Sequence, residues 1–260
     1  MSFISVRNLS KRYGSRHGDV LALSDVNLAL REGEFVSIVG PSGCGKSTLL
    51  YMIGGFLQPD TGEIHANGRR VEGPGVDRGV VFQEYALFPW LTVEANIAYG
   101  LKEAGMPARE RADVVRHYVE LIGLKGFENR YPKELSGGMK QRVAIARTLA
   151  CGPKILLLDE PLGALDSQTR EDMQDELLRI WQATGTTVLM VTHDVNEAVY
   201  LSERVIVMSK RPGRMVEEFE VTLDRSPGRE QIVLSEDFNA IRNRVWLSVR
   251  HQVTPEAAAR

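Results

Sequence analysis

Short apolar runs bounded by turn-forming residues recur along the chain, at Phe35 to Val39, Val80 to Phe82, Ile155 to Leu158, Thr187 to Val191 and Val205 to Met208. Their hydrophobicity is nearly continuous rather than alternating. Such strands bury both faces, as in a parallel sheet covered by helices. Helix-period segments lie between them: Met173, Leu177, Ile180 and Trp181 fall at i, i+4, i+7 and i+8, and Val114, Tyr118, Leu121 and Ile122 repeat that spacing. Strands that alternate with helices predict βαβ units and an α/β fold with a mostly parallel sheet.

Two regions depart from that rhythm. The first thirty residues alternate, through Ile4 and Val6 and then Leu21, Leu23, Val26, Leu28 and Leu30, which predicts half-buried antiparallel strands beside the main core. From about Tyr85 to Ala150 there is no strand pattern, and Val93 to Leu101 and Pro107 to Leu124 read as helices, so this stretch is expected to be a helical subdomain inserted into the sheet. The main domain then covers residues 1–220 and a C-terminal extension covers 221–260. In the extension, turns from Pro212 onward give way to Phe238, Ile241, Val245 and Val249, the buried stripe of a terminal helix capped by Ser235. The last residues, Ala257 to Arg260, are expected to fray.

Composition narrows the possibilities. At 260 residues with 43% apolar and 25% charged side chains, one large domain with an insertion is the economical reading. A net charge of −2, with Lys and Arg spread along the chain, argues against nucleic acid as a partner. Cys44 and Cys151 have neither metal-ligand spacing nor a disulfide framework, which fits a reducing cytosol. The first twenty residues carry Arg7, Lys11, Arg12 and Arg16 and lack the apolar stretch of a secretory signal. No apolar run approaches the roughly 18 to 20 residues that span a bilayer, so if the protein serves a membrane another chain must cross it.

Directly after the first buried strand comes Gly40-Pro41-Ser42-Gly43-Cys44-Gly45-Lys46-Ser47-Thr48, which fits the pattern GxxxxGKS and leads into a helical stretch from Leu49 to Phe56. A triphosphate needs many backbone N–H donors at close range, which glycines permit, and a helix whose positive end faces the anion. Lys46 would reach the β- and γ-phosphates, and the Ser47 hydroxyl would bind Mg²⁺. A second element, Ile155-Leu156-Leu157-Leu158-Asp159-Glu160, ends a buried strand with carboxylates at the sheet edge where open α/β folds bind ligands. Asp159 would hold Mg²⁺ through water and Glu160 would orient and polarise the attacking water. Together these motifs describe a P-loop NTPase.

A third element decides the type. Leu135-Ser136-Gly137-Gly138-Met139-Lys140-Gln141-Arg142 precedes the apolar helix Val143 to Leu149. A serine and two glycines at a helix start offer a hydroxyl, free N–H groups and a positive dipole end, a second anion site; read alone, Ser136 is equally an ordinary N-cap. One nucleotide does not need two such cradles. Two copies facing head to tail do, because each ATP can then lie between the phosphate loop of one and the serine–glycine start of the other.

With LSGGMKQR in this order, from about Ile4 to Val216, the sequence resembles the ABC transporter ATPase family. The resemblance implies that ATP is sandwiched between two copies, that Tyr13 stacks on adenine, and that Gln83 contacts Mg²⁺ and the attacking water. It further implies that Gly163 to Asp166 couples the two sites, and that His193 touches the γ-phosphate. Each residue also has a plain structural reading: Tyr13 as surface packing, Gln83 as a solvated strand end, Asp166 as a helix cap, His193 as a satisfied strand-end histidine. Cys44 reads as a small filler. The aromatic segment Tyr85 to Leu91 reads either as packing of the helical subdomain or, by resemblance, as the region that receives the coupling helix of a transmembrane permease. The stretches Glu72 to Gly75, Leu87 to Val93, Lys210 to Arg214 and Ser235 to Trp246 are similar to ATPases of nitrate, sulfonate and taurine importers. That implies ATP and Mg²⁺ as cofactors, permease subunits and a solute-binding protein as partners, and a position on the cytoplasmic face of the membrane. The basic run Lys210 to Arg214 itself reads as a solvated turn. The first alternative is an ATPase of an ABC transporter for another small solute; a soluble ATPase of the same family acting on DNA or ribosomes would need a coiled-coil insertion or tandem cassette that is missing, and a small-molecule kinase would leave LSGGMKQR and Glu160 without roles.

Overall fold

The computed structural model describes residues 2–14 and 18–253, so Arg16 and the segment from Ala257 to Arg260 lie outside the described residues. In chain order the elements are β1 (Ile4–Tyr13), β2 (Val20–Leu30), β3 (Phe35–Val39), α1 (Lys46–Ile53), β4 (Thr61–Ala66), β5 (Arg69–Arg70) and β6 (Arg78–Val81). They continue with α2 (Val93–Glu103), α3 (Ala108–Leu121), α4 (Gly137–Ala150), β7 (Ile155–Asp159) and α5 (Ser167–Thr184). The remainder are β8 (Thr187–Thr192), α6 (Val195–Leu201), β9 (Arg204–Met208), β10 (Met215–Glu220), α7 (Arg229–Leu234) and α8 (Glu236–Val253). Contacts divide the chain into two units, Met1–Pro74 with Thr187–Arg260, and Gly75–Thr186.

In the first unit β3 and β8 are buried at every residue, as their continuous apolar runs require. Parallel strands β8, β3 and β9 lie side by side, with β10 antiparallel at the edge of β9. The register pairs Val39 with both Thr192 and Val207, so the chain leaves three neighbouring strands along one carboxyl edge. Helix α6 packs on β3 and β9, α8 packs on β9, and α1 packs on β8. The alternating N-terminal region forms an antiparallel sheet in the order β2-β1-β4-β5. The sequence pattern missed β4, β5 and β10. In β10 only Phe219 is buried, so an edge strand with water on most of its side chains leaves no hydrophobic run. Ser235 caps α8 as expected, its hydroxyl oxygen accepting from the Phe238 N–H at 3.1 Å.

In the second unit β6 and β7 pair in parallel, Val81 opposite Leu158, so Phe82 and Asp159 leave their strands along one edge. Helices α2, α3 and α4 pack on one another, and no strand occurs between Tyr85 and Ala150. Several boundaries differ from the expected ones: α4 begins at Gly137 rather than Val143, and α3 covers Ala108–Leu121 rather than Pro107 to Leu124. Helix α1 begins at Lys46 rather than Leu49 and ends at Ile53 rather than Phe56, and β6 covers Arg78–Val81 rather than Val80 to Phe82.

Candidate active site

The loop Gly40 to Thr48 joins β3 to α1. Its helix starts from Gly45, whose φ of 110° is a left-handed value that an L side chain resists. A Cβ at Gly45 would also lie 2.6 Å from Leu23 Cδ2, so glycine is required twice over. Lys46 is buried, and its ammonium donates to the carbonyls of Gly40 at 2.9 Å and Pro41 at 3.2 Å, which curls the loop around the lysine. Cys44 is buried and donates its N–H to the Pro41 carbonyl at 3.3 Å. Burial pushes its thiol pKa up, against the opposing pull of Lys46 and Arg211, so the side chain is the neutral filler that the sequence suggests. Ser42 is exposed, and Ser47 and Thr48 are half-buried on the first turn of α1.

Tyr13, at the end of β1, brings its hydroxyl within 3.3 Å of Thr48 Oγ1 while its ring remains 39% exposed. The strand end that carries it is held by Asp60, which accepts from the Arg12 N–H at 2.5 Å and the Lys11 ammonium at 2.9 Å. These two contacts, the backbone one foremost, keep the Asp60 carboxyl below its ordinary pKa. His193 is exposed directly after β8, on the same strand edge as Gly40. Its turn is braced by residues the sequence reading missed. Thr192 Oγ1 donates to Glu197 at 2.8 Å and accepts from the Asp194 N–H at 3.1 Å, and Asp194 caps α6 through the N–H groups of Asn196 and Glu197.

The basic run Lys210 to Arg214 is the solvent-exposed turn that the sequence suggests, with Lys210, Arg211 and Arg214 all exposed. It also makes long-range bonds that the sequence does not show: Arg211 Nε and Nη2 donate to the Gly43 carbonyl at 3.3 and 3.0 Å, and Arg214 Nη2 donates to Ser24 Oγ at 3.2 Å. The partners lie 168 and 190 residues away, a distance at which local sequence pattern carries no signal.

In the second unit Asp159 is buried at the end of β7, and Glu160 follows with φ of 44°. A non-glycine residue in the left-handed region costs roughly 1–3 kcal/mol, a strain that recurs at functional sites because the surrounding fold fixes the side chain's direction. Gly163 donates its N–H back to the Glu160 carbonyl at 3.1 Å, and Arg170 Nη2 grips the Leu165 carbonyl at 2.7 Å, which holds the following loop. Asp166 caps α5 through the Thr169 N–H at 3.0 Å, and that bond holds its carboxyl below the usual range. Ser136 caps α4, accepting from the Met139 N–H at 3.3 Å, and it is exposed. A Cβ at Gly138 would lie 2.7 Å from Thr169 Cγ2, and one at Gly137 would lie 3.1 Å from both Leu165 and the Tyr85 hydroxyl. The glycines of LSGGMKQR therefore seat the start of α4 against the Asp166 loop. Gln83 is exposed two residues beyond β6.

The aromatic segment divides between its two readings. Phe88 packs inward, its ring 4.4 Å from Tyr99 and 5.4 Å from the Arg147 guanidinium, whereas Trp90 is 70% exposed. Buried Asn96 ties the segment to α2, accepting from the Phe88 N–H at 2.9 Å and donating to the carbonyls of Phe88, Leu91 and Thr92. Trp90 and Leu91 open onto a groove of about 660 Å³ between α2 and α3, lined also by Tyr99, Lys102, Arg111 and Val115.

Tyr13, the phosphate loop and His193 thus belong to one unit, and Gln83, Ser136 to Gly138, Asp159, Glu160 and Asp166 to the other. Among the described residues no group of three or more His, Cys, Asp and Glu side chains forms a ready-made metal cluster, and no helix is long and apolar enough to cross a membrane.

Residues 23–163 match the family model described as ABC transporter. The chain is 51% identical over 228 residues to a nitrate import ATP-binding protein of Synechocystis sp., covering 88% of this chain and 85% of that protein. It is 50% identical over 220 residues to a taurine import ATP-binding protein of Roseobacter denitrificans, covering 84% and 82% respectively. Among solved structures, a dimeric ATP-binding cassette in a post-hydrolysis state with ADP and phosphate aligns at a TM-score of 0.74 and 37% identity, covering 84% of this chain and 98% of that one.

Proposed function

Because this chain belongs to the ABC transporter family and is its ATP-binding, ATP-hydrolysing subunit, we propose that two copies share each ATP and drive import of a small anion, such as nitrate, taurine or another sulfonate, across the cytoplasmic membrane. The observation that carries the shared site is the start of α4. Ser136 is exposed at a capped helix N-terminus that the fold seats firmly against its own Asp166 loop, so it offers an anion cradle in its own right. The likeness to a dimeric cassette with ADP and phosphate supports the same arrangement.

In this reading Lys46 exchanges the Gly40 and Pro41 carbonyls for oxygens of the β- and γ-phosphates, while Tyr13 presents its open ring face to adenine. Ser47, Gln83 and Asp159 offer hydroxyl, amide and carboxylate oxygens, the hard donors that Mg²⁺ takes, and the ion when bound neutralises charge on the β- and γ-phosphates. Glu160, aimed by its left-handed backbone, accepts a hydrogen bond from the attacking water, and His193 donates to the γ-phosphate. Ser136 and the N–H groups of Gly137 and Gly138 complete the site from the second copy, so hydrolysis waits for the two copies to close. Asp166 keeps the start of α5 in register with that closure.

Closure is useful only if a membrane partner senses it. The α2–α3 groove, lined by exposed Trp90 and by charges of both signs (Lys102, Arg111 and Arg116 with Glu94, Glu103 and Glu128), is the surface for a permease segment, which makes the chain a peripheral protein of the membrane's cytoplasmic face. A solute-binding protein would deliver the anion from the other side. The anion itself is inferred from relatives named for nitrate and taurine import at about half identity.

The test is ATP turnover by the chain assembled with its permease and binding protein. Nitrate or taurine should raise turnover several-fold where a neutral sugar does not, and Ser136→Ala should remove the stimulated rate. Stimulation by the sugar alone overturns the cargo; a full rate with Ser136→Ala overturns the shared site.

A further inference from the structure

We propose that Arg211 is a positioning residue for nucleotide binding: by clamping the Gly43 carbonyl, it fixes the phosphate loop in the conformation that accepts a triphosphate. The inference rests on the reading that Gly40 to Thr48 is the triphosphate site. The clamp follows from the strand register. Because Val39 lies opposite Val207, the loop after β9 leaves the sheet beside the loop after β3, and the turn Ser209 to Arg214 folds against it.

The contact is specific on both sides. Two nitrogens of the Arg211 guanidinium converge on one carbonyl oxygen, that of Gly43. A planar trans peptide directs its C=O and the following N–H to opposite sides. The Cys44 N–H of this peptide is already bound to the Pro41 carbonyl, so the Gly43–Cys44 peptide is held at both ends. The next peptide is confined by the same turn: a Cβ on Gly213 would lie 2.2 Å from the Cys44 carbonyl oxygen, an approach only glycine allows. Gly213 is itself anchored, donating its N–H to the Ala22 carbonyl at 2.8 Å and accepting from the Ser24 N–H at 3.0 Å. Ser209 Oγ donates within the turn and accepts from the Arg214 N–H at 3.0 Å, which closes it on itself.

The consequence is electrostatic as well as geometric. A carbonyl that swung toward the phosphates would repel them, and a guanidinium bonded to the Gly43 oxygen opposes that swing. It also adds a second cation beside the loop, at a point where Lys46 alone supplies charge from within. A lysine in its place would keep the charge but offer one donor direction instead of a planar fork.

The experiment measures ATP affinity of the isolated full-length chain by fluorescent-nucleotide titration, together with its melting temperature without nucleotide and its kcat and KM for hydrolysis. For Arg211→Ala the expected result is a Kd and KM for ATP raised about tenfold, kcat within about twofold, and a nucleotide-free melting temperature unchanged within about 2 °C. Arg211→Lys should recover part of the affinity, to within about threefold of the unsubstituted chain. Arg214→Ala, which removes the neighbouring cation bonded to Ser24, should leave ATP affinity unchanged. Affinity of Arg211→Ala within twofold of the original overturns the proposal, as does a loss matched by a fall in the nucleotide-free melting temperature or reproduced by Arg214→Ala. Lys46→Ala separates the two levels of argument. If it binds ATP normally, the triphosphate reading fails; if it loses ATP while Arg211→Ala does not, only the clamp fails.

Discussion

The loop Gly40 to Thr48 and the start of α4 are the two helix N-termini proposed above as anion sites, yet they are supported differently. The loop is enclosed by its own unit. Lys46 threads it, Arg211 clamps it from outside, and Gly45 packs it against Leu23. The start of α4 is firm beneath and bare above, with Gly138 pressed on Thr169 and Ser136 capped by a single 3.3 Å bond and otherwise exposed. An anion-binding turn that is fully shaped alone can select ATP alone. One that only presents a hydroxyl and N–H groups contributes after something else has positioned the phosphate.

The sharpest way to break this contrast is to damage the two cradles in separate chains and mix them. Lys46→Ala and Ser136→Ala chains should each hydrolyse ATP at under about a hundredth of the normal rate, yet the mixture should recover up to about a quarter of it, because half the pairs then hold one undamaged composite site. Absence of recovery in pairs shown to form would mean that the two elements do not serve one nucleotide.

A smaller effect separates the halves of the aromatic segment. Phe88→Ala removes an inward ring and its Tyr99 and Arg147 contacts, and should destabilise the fold by about 2 kcal/mol in urea unfolding. Trp90→Ala should change stability by less than about 0.5 kcal/mol and leave ATP hydrolysis by the isolated chain intact, while the assembled transporter loses coupling between hydrolysis and uptake. Equal stability losses would place both rings in the core and remove the docking surface.

The smallest expected effect concerns Cys44. Its thiol pKa is raised by burial, so the neutral form is favoured in the folded state. The stabilisation this brings is complete below the ordinary thiol pKa of about 8.5 and is lost as pH rises through the higher folded value. Iodoacetamide at neutral pH should therefore label Cys44 far more slowly in the native chain than in urea. Equal rates would show that the loop is not closed around it.

Much of this was legible in the sequence where the signal is local. The continuous apolar runs mark the buried strands β3, β7 and β8, and the glycine, serine and lysine spacing marks two loops that the structure places at the starts of α1 and α4. Ser136, Asp166 and Ser235 were recognisable as caps, since a cap lies within three residues of what it satisfies. The rest depends on distant partners. Arg211 is exposed as its sequence context suggests, but its bond to Gly43 is invisible there because Gly43 is far away in the chain, and β10 is hidden because an edge strand buries so little. Asn96 drew no notice, although its amide binds the whole aromatic segment, because a lone polar residue at a helix start resembles any solvated one.

That amide has a mechanical consequence. Asn96, itself fully buried, joins Phe88, Leu91 and Thr92 to the first turn of α2, its oxygen accepting from the Phe88 N–H and its two N–H groups shared among the three carbonyls. A force applied to the indole at the mouth of the groove therefore cannot be absorbed by slack in the intervening loop. It travels as a displacement of α2 itself, and through the contact of α2 with α4 to the helix that Ser136 caps.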